Sequence, residues 1–424
     1  MKKLVQNYLA YCARKVIMRE KPAVIAITGS VGKSSTKEAI AAVLRAKFSV
    51  RANPGNYNTE FGLPLATLGL EMPRGAFRWF RTLLAAYGAS RGGKDFPKML
   101  VLEMGSRHEG DIAYLCDIAA PTISVVTAVG ESHLETFGSV ENIVKEKRVV
   151  VERLDQDGIA VLNRDDEKVW EMRLKTKAKV VSYGFHPDAD VRAHDELSYA
   201  CAEDTECGMH FKVSANGATV PMYSPGMLGR QAISAALAAV AIGVEKGMNL
   251  VEIGDALRGF QGAAGRMRYI PGIKHTMLID DTYNAAPRST LAALYVLREI
   301  PIGEYNKRFA VLGDMLELGS ASEQGHAQVG REAAACADVL VFVGERMNAG
   351  ERAAREAGAL EDRVFHFSNN EEAGRFVQER IHQGDIALIK GSRGMAMEHI
   401  VKELMAEPLS AAALLVGGAA EWKM

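Results

Sequence analysis

Apolar residues in this chain recur as short unbroken runs that stop at a glycine or at a cluster of polar turn formers. Ala23–Ile27, Met99–Leu102, Thr122–Thr127 and Ile159–Leu162 have the length and β-branched content of strands buried on both faces, as parallel strands are. Between them the period changes. After Ser34 the positions Ala39, Ile40, Val43 and Leu44 fall on one helical face, and Val140–Leu154 reads as another helix. Lys179–Met222 alternates over short segments and predicts a small β-rich lobe. Alanine-rich Gln231–Gly247 predicts a helix, and the helix and glycine-rich connector around Asn249–Gly265 predict a boundary. Beyond it, strands are expected at Thr276–Asp280, Arg308–Leu312, Val339–Val343, Arg363–Phe367 and Ile386–Ile389. Helices are expected at Pro287–Glu299, Glu323–Cys336, Arg346–Gly358, Glu371–Gln383 and Met395–Met405. This alternation predicts a second open, mostly parallel sheet. The fold class is α/β.

Composition narrows the choices. A chain of 424 residues suggests two or three domains. A hydrophobic content of 48% allows a large core, and a formal net charge of −1 argues against coating nucleic acid. Phosphate binding, if present, must be local. Cys12, Cys116, Cys201, Cys207 and Cys336 are scattered and odd in number, which predicts free thiols in a cytoplasmic protein rather than a zinc site. No apolar run reaches the roughly eighteen residues of a membrane span. The basic, apolar segment Met1–Lys21 fits two readings, an interfacial helix and a leading helix packed on the first domain. Phe77–Leu84 is a further candidate for a surface helix touching membrane or partner.

The chemistry concentrates at Thr28-Gly29-Ser30-Val31-Gly32-Lys33-Ser34-Ser35. A strand, a turn of small residues and a helix N-terminus direct unpaired backbone N–H groups and a positive helix end at one spot, where phosphate binds. Gly29 and Gly32 admit close backbone approach, Lys33 reaches terminal phosphates and the Ser34 hydroxyl suits Mg²⁺. The general phosphate loop has its first glycine where this chain has Ile27. The later strands deliver Glu103 and the segment Gly130–Glu135 just past their carboxyl ends, where doubly wound sheets bind ligands.

Several ordered motifs resemble one family, the ATP-dependent Mur ligases. They are Thr28–Ser35, Glu103-Met104-Gly105, Gly130 with His133-Leu134-Glu135, and Lys147. Asp280–Pro287, Leu312–Gly319 and Lys390–Met395 are similar to its D-alanyl-D-alanine-adding (MurF) type. The likeness implies a central phosphate-loop domain with a mostly parallel sheet, residues 21–248 after a short helical extension at 1–20. A Rossmann-like α/β domain would follow at 249–424. It also implies a cytoplasmic ligase of peptidoglycan biosynthesis, acting as a monomer on small peptide substrates, without nucleic acid and with peripheral membrane contact left open.

The resemblance also assigns roles. Thr28 to Ser35 would hold ATP with Arg266, Asp281, Tyr283 and Asn284. Ser34, Glu103, His133 and Lys147 would hold Mg²⁺, with Lys147 carbamylated by CO₂ so that its charge turns from +1 to −1. Lys145 is the rival lysine two positions away, but the fourteen residues from His133 to Lys147 match the family. Lys33, Glu103, His133, Lys147 and Arg266 would be catalytic. Lys390 and Arg393 would hold the carboxylate of the incoming dipeptide, with Asp314 and Glu317 organising that pocket. Asn56, Asn58 and Thr59 are candidates for acceptor contacts, with a turn-only role open.

Three departures shape the alternatives. About twenty residues precede the first strand, so the separate domain holding a uridine-diphosphate sugar is expected to be missing. Gln231, Ala232 and Ala235 stand where the family usually has a His-Asn and a further Asn, and Ala128 stands where an Asn is common. The leading expectation is addition of D-alanyl-D-alanine to a peptidoglycan precursor. Its alternatives are ligation to a carboxylate not carried by UDP, and an ATP-binding interaction protein without ligase activity.

Overall fold

The computed structural model describes residues 2–55, 57–73, 75–93, 95–130, 134–194, 198–200 and 207–417. The chain divides into two compact units. Met1–Leu197, Phe211–Tyr223 and Gln231–Phe260 form the first, and Ser198–His210, Ser224–Arg230 and Gln261–Met424 the second.

One sheet takes its strands in chain order from β1 (Ala23–Thr28), β2 (Val50–Ala52), β3 (Met99–Glu103), β4 (Ile123–Val126) and β5 (Ile159–Asn163) through β6 (Lys179–Gly184) and β7 (Val191–Ala193) to β8 (Ser198–Ala200), β9 (Gly208–Ala215) and β10 (Ala218–Pro225). Their spatial order is β10-β9-β7-β6-β5-β4-β1-β3-β2, with β8 on β9. The segment expected as a β-rich lobe of its own instead extends this sheet. β6 pairs parallel with β5, β7 pairs parallel with β6, and the ladder turns antiparallel at β7 with β9 and β8 with β9. Short alternation along the chain distinguishes an exposed face from a buried one, but not a separate sheet from a sheet's edge.

β1 lies between β3 and β4, both parallel to it. The chain leaves β1 toward one side and returns to the other, so a crevice opens beyond the carboxyl ends of these strands. β3 and β4 are buried throughout, as their continuous apolar runs require. The helix Lys33–Arg45 turns Ala39, Ile40, Val43 and Leu44 into the core.

The second unit has β11 (Arg268–Pro271), β12 (Met277–Asp281), β13 (Arg308–Gly313), β14 (Val339–Val343), β15 (Val364–Phe367) and β16 (Ile386–Lys390), in the order β11-β12-β16-β13-β14-β15. All neighbours are parallel except β11 with β12. Two apolar clusters cover the two faces of this sheet. The helix expected at Met395–Met405 is broken at Ala396, which is left-handed at φ 50°, and resumes as Glu398–Leu404.

Cys207 is disulfide-bonded, against the expectation of free thiols, whereas Cys12, Cys116 and Cys336 are free and buried.

Candidate active site

β1 ends at Thr28, whose hydroxyl donates to Met104 O at 3.0 Å. The turn that follows is fitted against the end of β4. A Cβ on Gly29 (φ 150°) would stand 2.0 Å from Thr127 Oγ1. That hydroxyl donates to Val31 O at 2.6 Å, and Ser30 N donates to Ala128 O at 2.7 Å. The Ser30 hydroxyl reaches Gly130 O at 3.1 Å. Ala128 therefore serves through its backbone, which an alanine supplies as well as an asparagine. Gly32 (φ 86°) caps the helix Lys33–Arg45 without a side-chain acceptor, leaving the first N–H groups of the helix directed at the turn. Lys33 Nζ lies on the carbonyls of Gly29 at 2.8 Å and Ser30 at 3.3 Å. Ser35 sits in the first turn of the same helix.

Glu103, at the end of β3, is 2% exposed and held at three points. Ser34 Oγ donates to its Oε2 at 2.8 Å and Asn58 Nδ2 to its Oε1 at 2.8 Å. Asn53 clamps its backbone, accepting from Glu103 N at 2.8 Å and donating to Glu103 O at 3.2 Å. The 53–58 loop is tied in turn by Lys37, fully buried, whose Nζ donates to Asn53 O at 2.7 Å. Asn58 thus orients a carboxylate rather than only making a turn. Thr59 is exposed, with its carbonyl at the start of the helix Gly62–Leu68. Asn56 and His133 lie outside the described residues. A buried carboxylate beside a hydroxyl is a hard-oxygen donor set that fits Mg²⁺. Among the described residues, Ser34 and Glu103 are the pair that meets at the mouth of the turn.

The helix Val140–Glu152 settles which lysine faces inward. Lys145 is exposed, whereas Lys147 is 3% exposed and donates to Ser106 Oγ at 3.2 Å. Burial first, and then the like charge of Lys33, push the Lys147 ammonium down from 10.5 to about 7, with Glu146 opposing them. The Glu146 carboxylate is already engaged, accepting from Gly110 N at 2.8 Å and Ile112 N at 2.7 Å.

In the second unit, Arg266 lies 4.0 Å over the centre of the Tyr283 ring, and Tyr283 N donates to Gly265 O at 3.0 Å. Asp280 is fully buried, and burial raises its carboxyl to about 6 against hydrogen bonds from Thr282 and Gly265. Asp281 and Lys390 stand opposite each other on β12 and β16 and pair at 2.6 Å. Lys390 is 2% exposed and also donates to Asn284 O at 2.8 Å. The lysine expected to hold a substrate carboxylate is here paired with Asp281, the anion that its own strand register supplies. Arg393 is 39% exposed and is steadied by buried Glu398. Asp314 accepts from Met347 N at 2.9 Å, and Glu317 is left-handed at φ 63°, so both shape the loop after β13. The sequence motifs do not assign roles to Asn53, Ser106, Thr127 or Glu398. Asn53, Ser106 and Thr127 are polar residues just past strand ends, and Glu398 opens the helix Glu398–Leu404.

A phosphate-binding turn at the switch point of a parallel sheet, followed in one chain by a second α/β unit, defines a two-unit nucleotide-binding class. Residues 27–243 match the Mur ligase middle domain and residues 265–393 the Mur ligase, glutamate ligase domain. The chain belongs to the Mur ligase family. It is 31% identical over 387 residues to the UDP-N-acetylmuramoyl-tripeptide–D-alanyl-D-alanine ligase of Bacillus subtilis, covering 91% of this chain and 77% of that protein. The ligase of the same name from Escherichia coli is also 31% identical, over 392 residues, covering 92% and 78%. Among solved structures, MurF from Acinetobacter baumannii aligns with a TM-score of 0.77 at 28% identity, covering 94% of this chain and 80% of that one. MurF ligase from Thermotoga maritima, in complex with ADP, aligns at 0.75 with 25% identity, covering 94% and 83%.

Proposed function

We propose that this protein is an ATP-dependent amide ligase of the MurF type. It would join D-alanyl-D-alanine to the peptide carboxylate of UDP-N-acetylmuramoyl-tripeptide in the cytoplasm. The observation that carries this reading is the pairing of the Ser34 hydroxyl with buried Glu103 at 2.8 Å, at the mouth of the glycine turn.

The reaction begins with an electrostatic obstacle. A carboxylate must approach a triphosphate, and two unit charges at 4 Å repel by about 4 kcal/mol at an effective dielectric near 20. Bound Mg²⁺ neutralises phosphate charge and orients the oxygens. Ser34 and Glu103 would hold that ion, with Asn58 aiming the carboxylate. Lys33 would exchange the carbonyls of Gly29 and Ser30 for phosphate oxygens. The acceptor carboxylate then bonds to the γ-phosphorus and ADP leaves, giving an acyl phosphate. The dipeptide amine attacks its carbonyl, loses a proton and expels phosphate.

Lys147 is assigned the carbamate. A neutral amine bonds to CO₂ and releases a proton, leaving an anion, and an ammonium pushed down to about 7 is partly neutral in neutral solution. His133 is assigned to a second Mg²⁺ by the motif alone. Arg266, Asp281, Tyr283 and Asn284 are assigned to the nucleotide, with Lys390 positioning Asp281. Arg393 is assigned to the dipeptide carboxylate, and Asn56 and Thr59 to the acceptor.

The test is phosphate release from ATP with purified protein, comparing UDP-N-acetylmuramoyl-tripeptide with the free peptide, each with and without D-alanyl-D-alanine. Release that needs both the UDP-linked acceptor and the dipeptide is the expected result. Turnover only on other carboxylates would move the acceptor, and tight ATP binding without turnover on any would overturn the ligase reading.

A further inference from the structure

Two helices of the first unit lie side by side and share an outer face that the ligase reading does not use. Lys2–Glu20 sends Leu9, Ala10, Cys12, Ala13 and Val16 into the core, and Ala76–Ala89 sends Trp79, Leu83 and Ala86 into the same cluster. The Tyr8 hydroxyl donates to Leu83 O at 3.3 Å, and Lys15 Nζ lies 5.9 Å from the centre of the Tyr87 ring. With both inner faces in one core, the opposite faces look outward together.

That outer layer is apolar and aromatic. On the first helix Leu4, Tyr11 and Met18 recur every seven residues and are 74%, 55% and 71% exposed. On the second, Phe77, Phe80, Leu84 and Tyr87 follow the i, i+3, i+7, i+10 spacing of one stripe and are 74%, 60%, 59% and 47% exposed. This 14-residue helix buries only Ala86 fully. A contiguous exposed apolar face of this kind marks an interaction surface.

The two helices are rich in cations, although Lys2 lies 4.0 Å from Glu60 and Arg19 3.6 Å from Glu20. The first helix carries Lys2, Lys3, Arg14, Lys15 and Arg19 against Glu20 alone. The second carries Arg78 and Arg81 and no carboxylate, in a chain whose formal net charge is −1. A second copy of the chain would set cations against cations across a two-fold contact, which repels. An anionic bilayer supplies both the complementary charge and an apolar layer to receive the aromatic stripe. No helix of the described residues is long and apolar enough to cross a membrane, so the helices would lie along the surface.

We propose that this two-helix face docks the protein onto an anionic phospholipid bilayer. Phe77, Phe80 and Leu84 enter the interface, and Arg78 and Arg81 engage the headgroups.

The experiment sediments the full chain with vesicles of phosphatidylcholine alone, or of phosphatidylcholine containing phosphatidylglycerol, across a salt series. Binding to the anionic vesicles should be at least about tenfold tighter than to neutral ones and weaken as salt rises. Phe80→Ser/Leu84→Ser and Arg78→Glu/Arg81→Glu should each lose about tenfold or more of that binding. Because these side chains are exposed, melting temperature and phosphate release in vesicle-free buffer should be unchanged. Absence of vesicle binding by the parent chain overturns the proposal, as does equal binding by the variants. A parent dimer that Phe80→Ser/Leu84→Ser converts to a monomer, with no lipid binding by either, also overturns it.

Discussion

Two buried lysines, one in each unit, meet opposite surroundings. Lys390 has a carboxylate at 2.6 Å and a carbonyl at 2.8 Å. Lys147 has a hydroxyl at 3.2 Å and the repulsion of Lys33. An ammonium taken out of water must find a counter-charge or give up its proton. Lys390 takes the first course, and its pair with Asp281 ties the ends of β12 and β16 together. Lys147 is pushed toward the second, down to about 7, and only the neutral amine has the lone pair that chemistry with CO₂ requires. Equal burial therefore says little about a lysine's role, whereas the neighbouring groups separate framework from reactivity.

The contrast should be widest in activity. Lys147→Met should lower ATP-dependent phosphate release by about a thousandfold, since several kcal/mol of transition-state stabilisation go with an anionic metal ligand and each ~1.4 kcal/mol is tenfold. Added bicarbonate should not restore it, and near-parental turnover would remove Lys147 from the reaction.

Stability should reverse the ranking. Lys390→Met strands Asp281 without its cation and should cost about 3 kcal/mol in urea unfolding. Lys390→Met/Asp281→Leu should recover most of that loss. A single variant as stable as its parent would show that the pair contributes nothing.

Lys147→Met should have a pH-dependent effect of opposite sign. Below pH 7 both the folded and unfolded chains carry the proton, and folding bears the full cost of burying it. Between about 7 and 10.5 the unfolded chain binds more protons, so parental stability rises with pH until the cost is gone. The methionine variant should be the more stable near pH 6, by up to a few kcal/mol, and lose that advantage as pH approaches about 10. Melting curves across this range check it, and a constant gap would mean that Lys147 is not depressed. The smallest effect should come from Asn58→Ala, which removes one donor from Glu103. About tenfold in kcat/KM is expected for one hydrogen bond to a charged group, and unchanged kcat/KM would leave Asn58 in the turn alone.

Much of this was legible along the chain because the decisive features are local. A glycine turn between an apolar run and a helical face needs only consecutive residues, and β1, β3, β4, β5 and the parallel strands β12 to β16 are continuous apolar runs. The features that consecutive residues do not announce are non-local or short. β2 is three residues long, and β11 is a four-residue antiparallel edge ending at Pro271. The Asp281–Lys390 pair joins residues 109 apart in sequence, so the motif that held each one did not reveal the other. Asn53 and Thr127 act through backbone groups of distant strands, a role that side-chain identity does not announce.

Position 29 and the hydroxyl at 127 occupy space that two side chains cannot share. A side chain at 29 would displace the Thr127 hydroxyl and with it the bond on the Val31 carbonyl, and it would stay strained at φ 150° against the Ala128 backbone even if Thr127 were removed. Position 29 is therefore closed to other residues twice over, once by its neighbour and once by its own backbone.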